Sequence, residues 1–423
     1  MTPARIPETG DRAGKDALTG ILTAIVRCLL ISSGTSGRKN GRGRPAFFRR
    51  LFFSVALLAL AGQLAGAEVP AVPPDEAEAL IPEVPDVWSR TLNVRASAGY
   101  NDNLLQDAAR SEQSLALGAG MEASWFRLPL DGRQLVLDFV GDYIYYPNGH
   151  QVDHEASLLG LAQVKLDLSP RWQTALDLNY VYIDQVVDTS ITETNLSSSP
   201  VRGHGIGVRP AILAELSRGF RIVLDVLASR QFLDQPFDDY WEGGPRMTLE
   251  HDYSNRSGLA FSYAWRQRTY DTRKEVALAG TNVPGTELEF QMQEVELAWR
   301  HNWDEQRRWR TLTRLGFLAN RDSGSGYFDY QRYQIAQQLR YVARVWEAKA
   351  QFRLFYYEFP HQDADHLGTD RAKTAVAASL RAERELAKHL RLFAEYSFEE
   401  SFSNRATDQY RLNRVAAGVD CGF

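Results

Sequence analysis

From Thr91 to Phe423, apolar and polar side chains alternate with a period of two, in short segments separated by turn residues. A period of two is the signature of β-strands with one apolar face. Leu135, Leu137, Phe139, Tyr143 and Tyr145 share one face, opposite Gln134, Asp138 and Asp142. Trp172, Leu176, Leu178, Tyr180 and Tyr182 oppose Gln173, Asp177 and Asn179; Leu259, Phe261, Tyr263 and Trp265 oppose Ser262, Arg266 and Arg268. Phe352, Leu354 and Tyr356 oppose Lys349, Gln351 and Arg353; Leu390, Leu392, Tyr396 and Phe398 oppose Arg391, Glu395 and Glu399. In the last segment Val415, Ala417, Val419, Cys421 and Phe423 alternate with Ala416, Gly418 and Asp420. A final strand that stops on an exposed Phe suits the aromatic girdle of a membrane barrel better than a soluble fold.

The connections carry a second rhythm. Short ones (Leu130–Arg133, Ser169–Arg171, Ser217–Gly219, Ser254–Ser257, Trp303–Arg308, Arg344–Trp346, Arg384–Lys388) alternate with longer polar ones. The longer ones fall at 101–112, 147–153, 185–202, 233–243, 271–286, 320–327, 359–369 and 401–408. Outer-membrane barrels are built this way, with short periplasmic turns and longer outer loops. The pattern predicts an all-β, transmembrane, antiparallel up-and-down β-barrel of about 16 strands, both chain ends lying on the short-turn side. Within it, the phase of 287–301 changes between Met292 and Val295, which predicts a β-bulge. Pro210 is an irregularity inside a strand. Arg371–Leu390 has helix-forming composition, but a helix there would leave the barrel short of a hairpin.

Composition alone would suggest a soluble protein: 44% hydrophobic, 24% charged and a mean hydropathy of −0.35 over 423 residues. A barrel with only alternate residues facing lipid escapes that reading. The 18 Tyr and 9 Trp suit interface belts. Three domains are expected. Residues 1–67 form an N-terminal extension and signal peptide, 68–89 a Pro-rich periplasmic linker, and 90–423 the barrel. The signal is read from basic Arg49 and Arg50, the apolar run Leu51–Ala61 and the small-residue site Ala65-Gly-Ala67. The linker holds Pro70, Pro73, Pro74, Pro82 and Pro85. Cleavage after Ala67 removes ten basic and three acidic residues, leaving 38 against 50. A net negative chain does not seek nucleic acid. It also removes Cys28, so Cys421 has no intrachain partner.

The first predicted strand closes on Gly99-Tyr-Asn-Asp-Asn-Leu-Leu105. With the signal peptide, the Pro-rich lead-in, the repeated hairpins and terminal Phe423, the chain resembles the β-barrel porin family of Gram-negative outer membranes, over residues about 88–423. The ending, with Gly418, Cys421 three places on and Phe423, resembles the C-terminal assembly signal of such barrels. The resemblance implies an outer-membrane location, lipid and lipopolysaccharide as surroundings, the barrel-assembly machinery as partner, and small hydrophilic solutes as cargo. It implies no catalytic residue and no cofactor.

The alternation names what faces the lumen. Acids concentrate in the earlier strands: Asp138, Asp142, Asp167, Asp177, Glu215, Asp225, Glu250 and Asp252. Bases concentrate in the later ones: Arg266, Arg268, Arg300, Arg310, Arg314, Arg332, Arg340, Lys349 and Arg353. Two readings stay open. Opposed acidic and basic walls would set a field across a pore; alternatively the charges pair across neighbouring strands as a structural ladder. The connection 185–202, rich in Thr, Ser and Asn, could fold inward and narrow the pore, or lie on the surface. Asp102, Asp107 and Glu112, and the stretch His361–His366, are weak cation-binding candidates. No Ser/His/Asp set forms a recognisable catalytic motif. The expected function is passive diffusion of small hydrophilic solutes. The alternatives are a non-conducting structural or adhesion barrel, or a polysaccharide-export barrel with a basic, aromatic-lined lumen.

Overall fold

A computed structural model describes residues 87–129, 131–192, 198–364 and 368–423. The expected leader, residues 68–86 of the expected linker, Cys28 and His366 lie outside the described residues, and the linker's last residues, Trp88 and Ser89, already belong to the first strand. Sixteen strands follow one another: β1 (Trp88–Asn101), β2 (Ser114–Arg127), β3 (Arg133–Tyr145), β4 (His154–Ser169), β5 (Trp172–Asp188), β6 (Ser198–Ser217), β7 (Phe220–Leu233) and β8 (Tyr240–His251). They continue as β9 (Ser257–Tyr270), β10 (Glu289–Asn302), β11 (Trp309–Asp322), β12 (Tyr330–Val342), β13 (Trp346–Asp363), β14 (Asp370–Ala387), β15 (Leu390–Ser403) and β16 (Tyr410–Gly422). Each pairs antiparallel with its neighbours in sequence, and β1 pairs with β16, so the sheet closes into a barrel without an edge.

The register assigns the faces. Ala98, Tyr100, Leu117, Leu137, Leu178, Ile206, Leu224, Leu315, Ile335 and Val415 lie outward on strands around the ring, and most of them are exposed. Toward the short-turn end the outer surface carries exposed Trp88, Trp172, Trp309, Trp346 and Phe423. Toward the long-loop end it carries exposed Tyr100, Phe232, Trp241, Tyr356 and Phe402. An aliphatic band between two aromatic belts is the surface of a membrane-spanning barrel. Among the described residues no helix is long and apolar enough to cross a membrane.

The seam between first and last strand is closed by the motif at the end of β1. The Asp102 carboxylate accepts the Asn413 N–H at 2.6 Å and its side-chain amide at 2.7 Å. Asn103 donates to the Arg411 carbonyl at 2.9 Å. At the other end of the seam Leu92 and Phe423 exchange backbone hydrogen bonds of 3.1 and 2.8 Å. Gly418 sits where a Cβ would collide with the Ala96 carbonyl, and the Phe393 ring lies over it. A side chain there would push β16 off β1, so the residue is set by packing.

Two expectations need correction, the bulge in β10 and the length of the third long connection, while the hairpin expected over Arg371–Leu390 is present. β10 keeps one register against both β9 and β11, so no bulge separates Met292 from Val295. The phase seemed to change because Phe290 and Met292 are apolar yet face inward, where they are 2% and 1% exposed. Arg371–Leu390 is a β-hairpin, β14 turning into β15 at 388–389, because ring closure overrides helix propensity. The third long connection is shorter than expected: β5 runs on to Asp188 and β6 begins at Ser198. Strands here continue past the membrane band, where outward residues need no longer be apolar. Pro210 lies outward on β6 opposite Leu176, and no β7 partner pairs with it, as its missing N–H requires.

In the short turn after β2, Arg127 donates to Asp131 at 2.8 and 3.0 Å. These hydrogen bonds hold the exposed Asp131 carboxyl down at about 2.

Candidate functional site

The candidate site is the lumen. Charged residues line it in pairs made by register. Arg95 on β1 reaches Asp142 on β3, passing over β2 at Gly120, where a Cβ would obstruct both side chains. Asp138 accepts the Ser124 hydroxyl at 2.5 Å, and Asp177 accepts the Gln163 amide at 2.8 Å. Asp225 lies between Arg246 at 2.9 Å and Arg209 at 3.6 Å. Glu250 pairs with Arg221. Glu215, at the end of β6, borders a small cavity that Arg221, Glu250 and Asp252 also line.

The later strands follow the same rule. Glu242 binds Arg266 at 3.0 Å and Arg268 at 2.6 Å. Glu294 binds Arg266 at 3.0 Å and Arg332 at 3.3 Å. Arg300 meets Asp252 at 2.9 Å, Arg314 meets Glu296 at 4.0 Å, and Arg340 meets Glu347 at 2.7 Å. Arg353 has no ion pair among the described residues. The two walls are therefore not of one sign. Arg95, Arg209, Arg221 and Arg246 sit among the acids, and Glu242, Glu294, Glu296 and Glu347 among the bases. Counting only the commoner sign in each half hid these counter-charges. The ladder reading describes the lumen better than opposed walls, since neighbouring inward positions a few ångströms apart pair before distant walls interact.

The long-loop end is packed. The segment following β5 turns into the lumen: Thr189, Ser190 and Thr192 are 0%, 1% and 6% exposed. It reaches β14, which lies far round the ring from β5. Arg371 donates to the Ser190 carbonyl at 2.7 Å and is itself held by Asp408 and Gln362, both at 2.7 Å. Lys373 donates to the Ser190 hydroxyl at 2.7 Å and pairs with Asp188. Arg273, from the connection 271–288, donates to the Thr192 carbonyl. Ile191 packs on Leu318, Tyr330, Phe355, Tyr357 and Phe359. Residues 188–192 form a strap, anchored to the far wall by two buried cations. Sequence reasoning saw a polar loop that could fold inward; it missed Arg371 and Lys373, whose role depends on a strand distant in sequence.

Other loops complete the packing. Leu104, Tyr146, Val152 and Val186 form one apolar cluster. Tyr240, Tyr270, Val276, Leu288, Phe290 and Phe328 form another. These inward aromatics are buried against loops, not displayed along an open channel as the export reading would want. Asp102 serves the seam, and Glu112 accepts the Gln151 N–H at 3.2 Å, so both have structural work. Of the residues expected to form an assembly signal, Gly418 and Cys421 lie on β16 at the seam and Phe423 follows it. Gly418 faces inward beneath Phe393, while Cys421 and Phe423 face outward.

No protein-family model matches the chain, and no curated protein matches it. Among solved structures, OccAB1 of Acinetobacter baumannii aligns at 9% identity over 80% of this chain and 97% of its own, with a TM-score of 0.42. OprD of Pseudomonas aeruginosa aligns at 10% identity over 80% and 94%, with a TM-score of 0.41. A bacterial polysaccharide outer membrane secretin aligns at 12% identity over 79% and 97%, with a TM-score of 0.38. Likenesses of this degree carry no functional argument, which rests on the barrel's own geometry.

Proposed function

We propose that this chain is an outer-membrane porin through which small hydrophilic solutes diffuse, narrowed at its outer end by the strap 188–192. The observation that carries the reading is the combination of a closed sixteen-stranded ring with an apolar exterior and a charged interior. Barrels of this strand number are wide enough to leave an aqueous channel. The charged residues of the lumen, Asp138, Asp142, Asp177, Glu215, Asp225 and Glu250 on one side and Arg266, Arg300, Arg314, Arg340 and Arg353 on the other, are its wall, while Arg268 is buried in the packing of the long-loop end. Export through the signal peptide and insertion through the C-terminal strand, with Gly418, Cys421 and Phe423, belong to the same reading.

The test is single-channel conductance of the refolded 68–423 chain in a planar bilayer. Steady steps on the nanosiemens scale are expected, and the reversal potential under a salt gradient gives the ion preference. A second reading, a barrel that does not conduct, is favoured by the strap and the apolar packing of the outer mouth. A silent bilayer, with a folded barrel shown by heat-shifted gel mobility, would decide for it.

A further inference from the structure

Below the strap the lumen wall is hollowed. On β14 and β15 the inward residues Ala377, Ser379 and Ser397 are small, while β13 and β16 bring the longer Gln351, Arg353 and Arg414 on either side. They leave a recess of about 180 Å³, which Glu399 also lines.

The hydrogen-bonding capacity around this recess is unbalanced. Its carboxylates already hold hydroxyl donors. Glu399 accepts the Tyr410 hydroxyl. Glu155, which faces Arg414 at 3.7 Å, already accepts the Tyr146 hydroxyl at 2.7 Å and the Val186 N–H at 3.3 Å. Several of its side-chain donors are not engaged. The Arg414 Nε is buried with no hydrogen-bond partner. The side chains of Gln351, Arg353, Ser379 and Ser397 make no hydrogen bond or ion pair among the described residues. Most of the lumen's other arginines are ion-paired; here Arg353 carries no ion pair and Arg414 only the 3.7 Å contact with Glu155, so two guanidiniums flank a cavity with donors to spare. The guanidinium forks favour a ligand that brings acceptor oxygens, and against them a negative charge gains most. At roughly 30 Å³ per water, the recess has room for one small oxyanion with part of its hydration.

We propose that the recess between Arg353 and Arg414 is a binding site for a small oxyanion, the carboxylate or phosphate group of a solute in the lumen. Arg353 offers its fork from β13, Arg414 its Nε from β16, and the Ser379 and Ser397 hydroxyls close the floor. As a station for a passing solute it rests on the porin reading; binding itself needs no conduction, so it is tested without a current.

The full 68–423 barrel, refolded in detergent and checked by heat-shifted mobility, is titrated calorimetrically with inorganic phosphate, with succinate and with glucose. Saturable binding of at least one anion is expected, and which of the two identifies the head group. Arg353→Gln should weaken it at least tenfold. Ser379→Leu, which fills the recess and keeps both arginines, should do the same. Arg384→Gln, on the outer face, should leave it unchanged. No saturable binding of either anion, binding that survives both recess substitutions, equal loss in Arg384→Gln, or glucose bound as tightly as the anions would each overturn the site. A barrel that binds phosphate or succinate but is silent in the bilayer would keep the site and dismiss the porin.

Discussion

Asp102 shows how much one side chain can do when chain closure depends on it. Its carboxylate holds both the backbone and the side chain of Asn413, across the only seam whose strands are not joined by a turn. Asp102→Ala removes a charged acceptor from two donors, at a cost of about 1–3 kcal/mol. The temperature at which the heat-shifted gel species converts to the unfolded one should fall accordingly, and an unchanged midpoint would show that the seam does not need the clasp. Asp131 allows a prediction of opposite character, about solvent. Its carboxyl is held at about 2 by Arg127, below its unfolded value, so its contribution is present above pH about 4. That contribution is lost as pH falls toward 2. Arg127→Gln should therefore flatten the acid limb of the stability profile in that window alone. The motif at 99–103 was visible in the sequence as a resemblance. Its role as a clasp was not, because its partners lie some three hundred residues away in the chain.

At the scale of elements, the strap is the feature with most consequence. It is short, polar and crosses the lumen because Arg371 and Lys373 take its carbonyl, hydroxyl and carboxylate groups. Arg371→Met would leave Asp408 buried without its partner, at a cost of about 3–5 kcal/mol, and release one anchor. In the bilayer the variant should show larger and noisier steps than the parent chain. Deleting 190–199 should raise conductance outright, and an unchanged value would mean that the strap does not bound the pore. The alternation located the strands on either side of the strap to within a few residues. It failed at β10, because inward Phe290 packs in a cluster with Leu288 and Phe328 and inward Met292 is buried as well. An apolar residue on a strand reports burial, and lipid is only one way to be buried.

The whole molecule is a ring whose interior charges are settled locally. Opposed acidic and basic walls would have given a strong field across the lumen; counter-charges on each side remove most of it. The expected reversal potential is therefore modest, and a strong preference for one sign of ion would indicate that the unpaired donors near Arg353 and Arg414 dominate permeation. High salt should change that preference little, since closely paired charges are poorly screened by mobile ions.

The sequence by itself determined the strands, their faces, the alternation of short and long connections and the even strand number. Each is a local property, written in a period of two and in turn residues. Only the tertiary structure decided which inward charges pair, where the loops go and what remains unpaired. Those outcomes depend on register and on the meeting of β1 with β16, β5 with β14, and β13 with β16 around a recess, contacts between segments far apart in the chain.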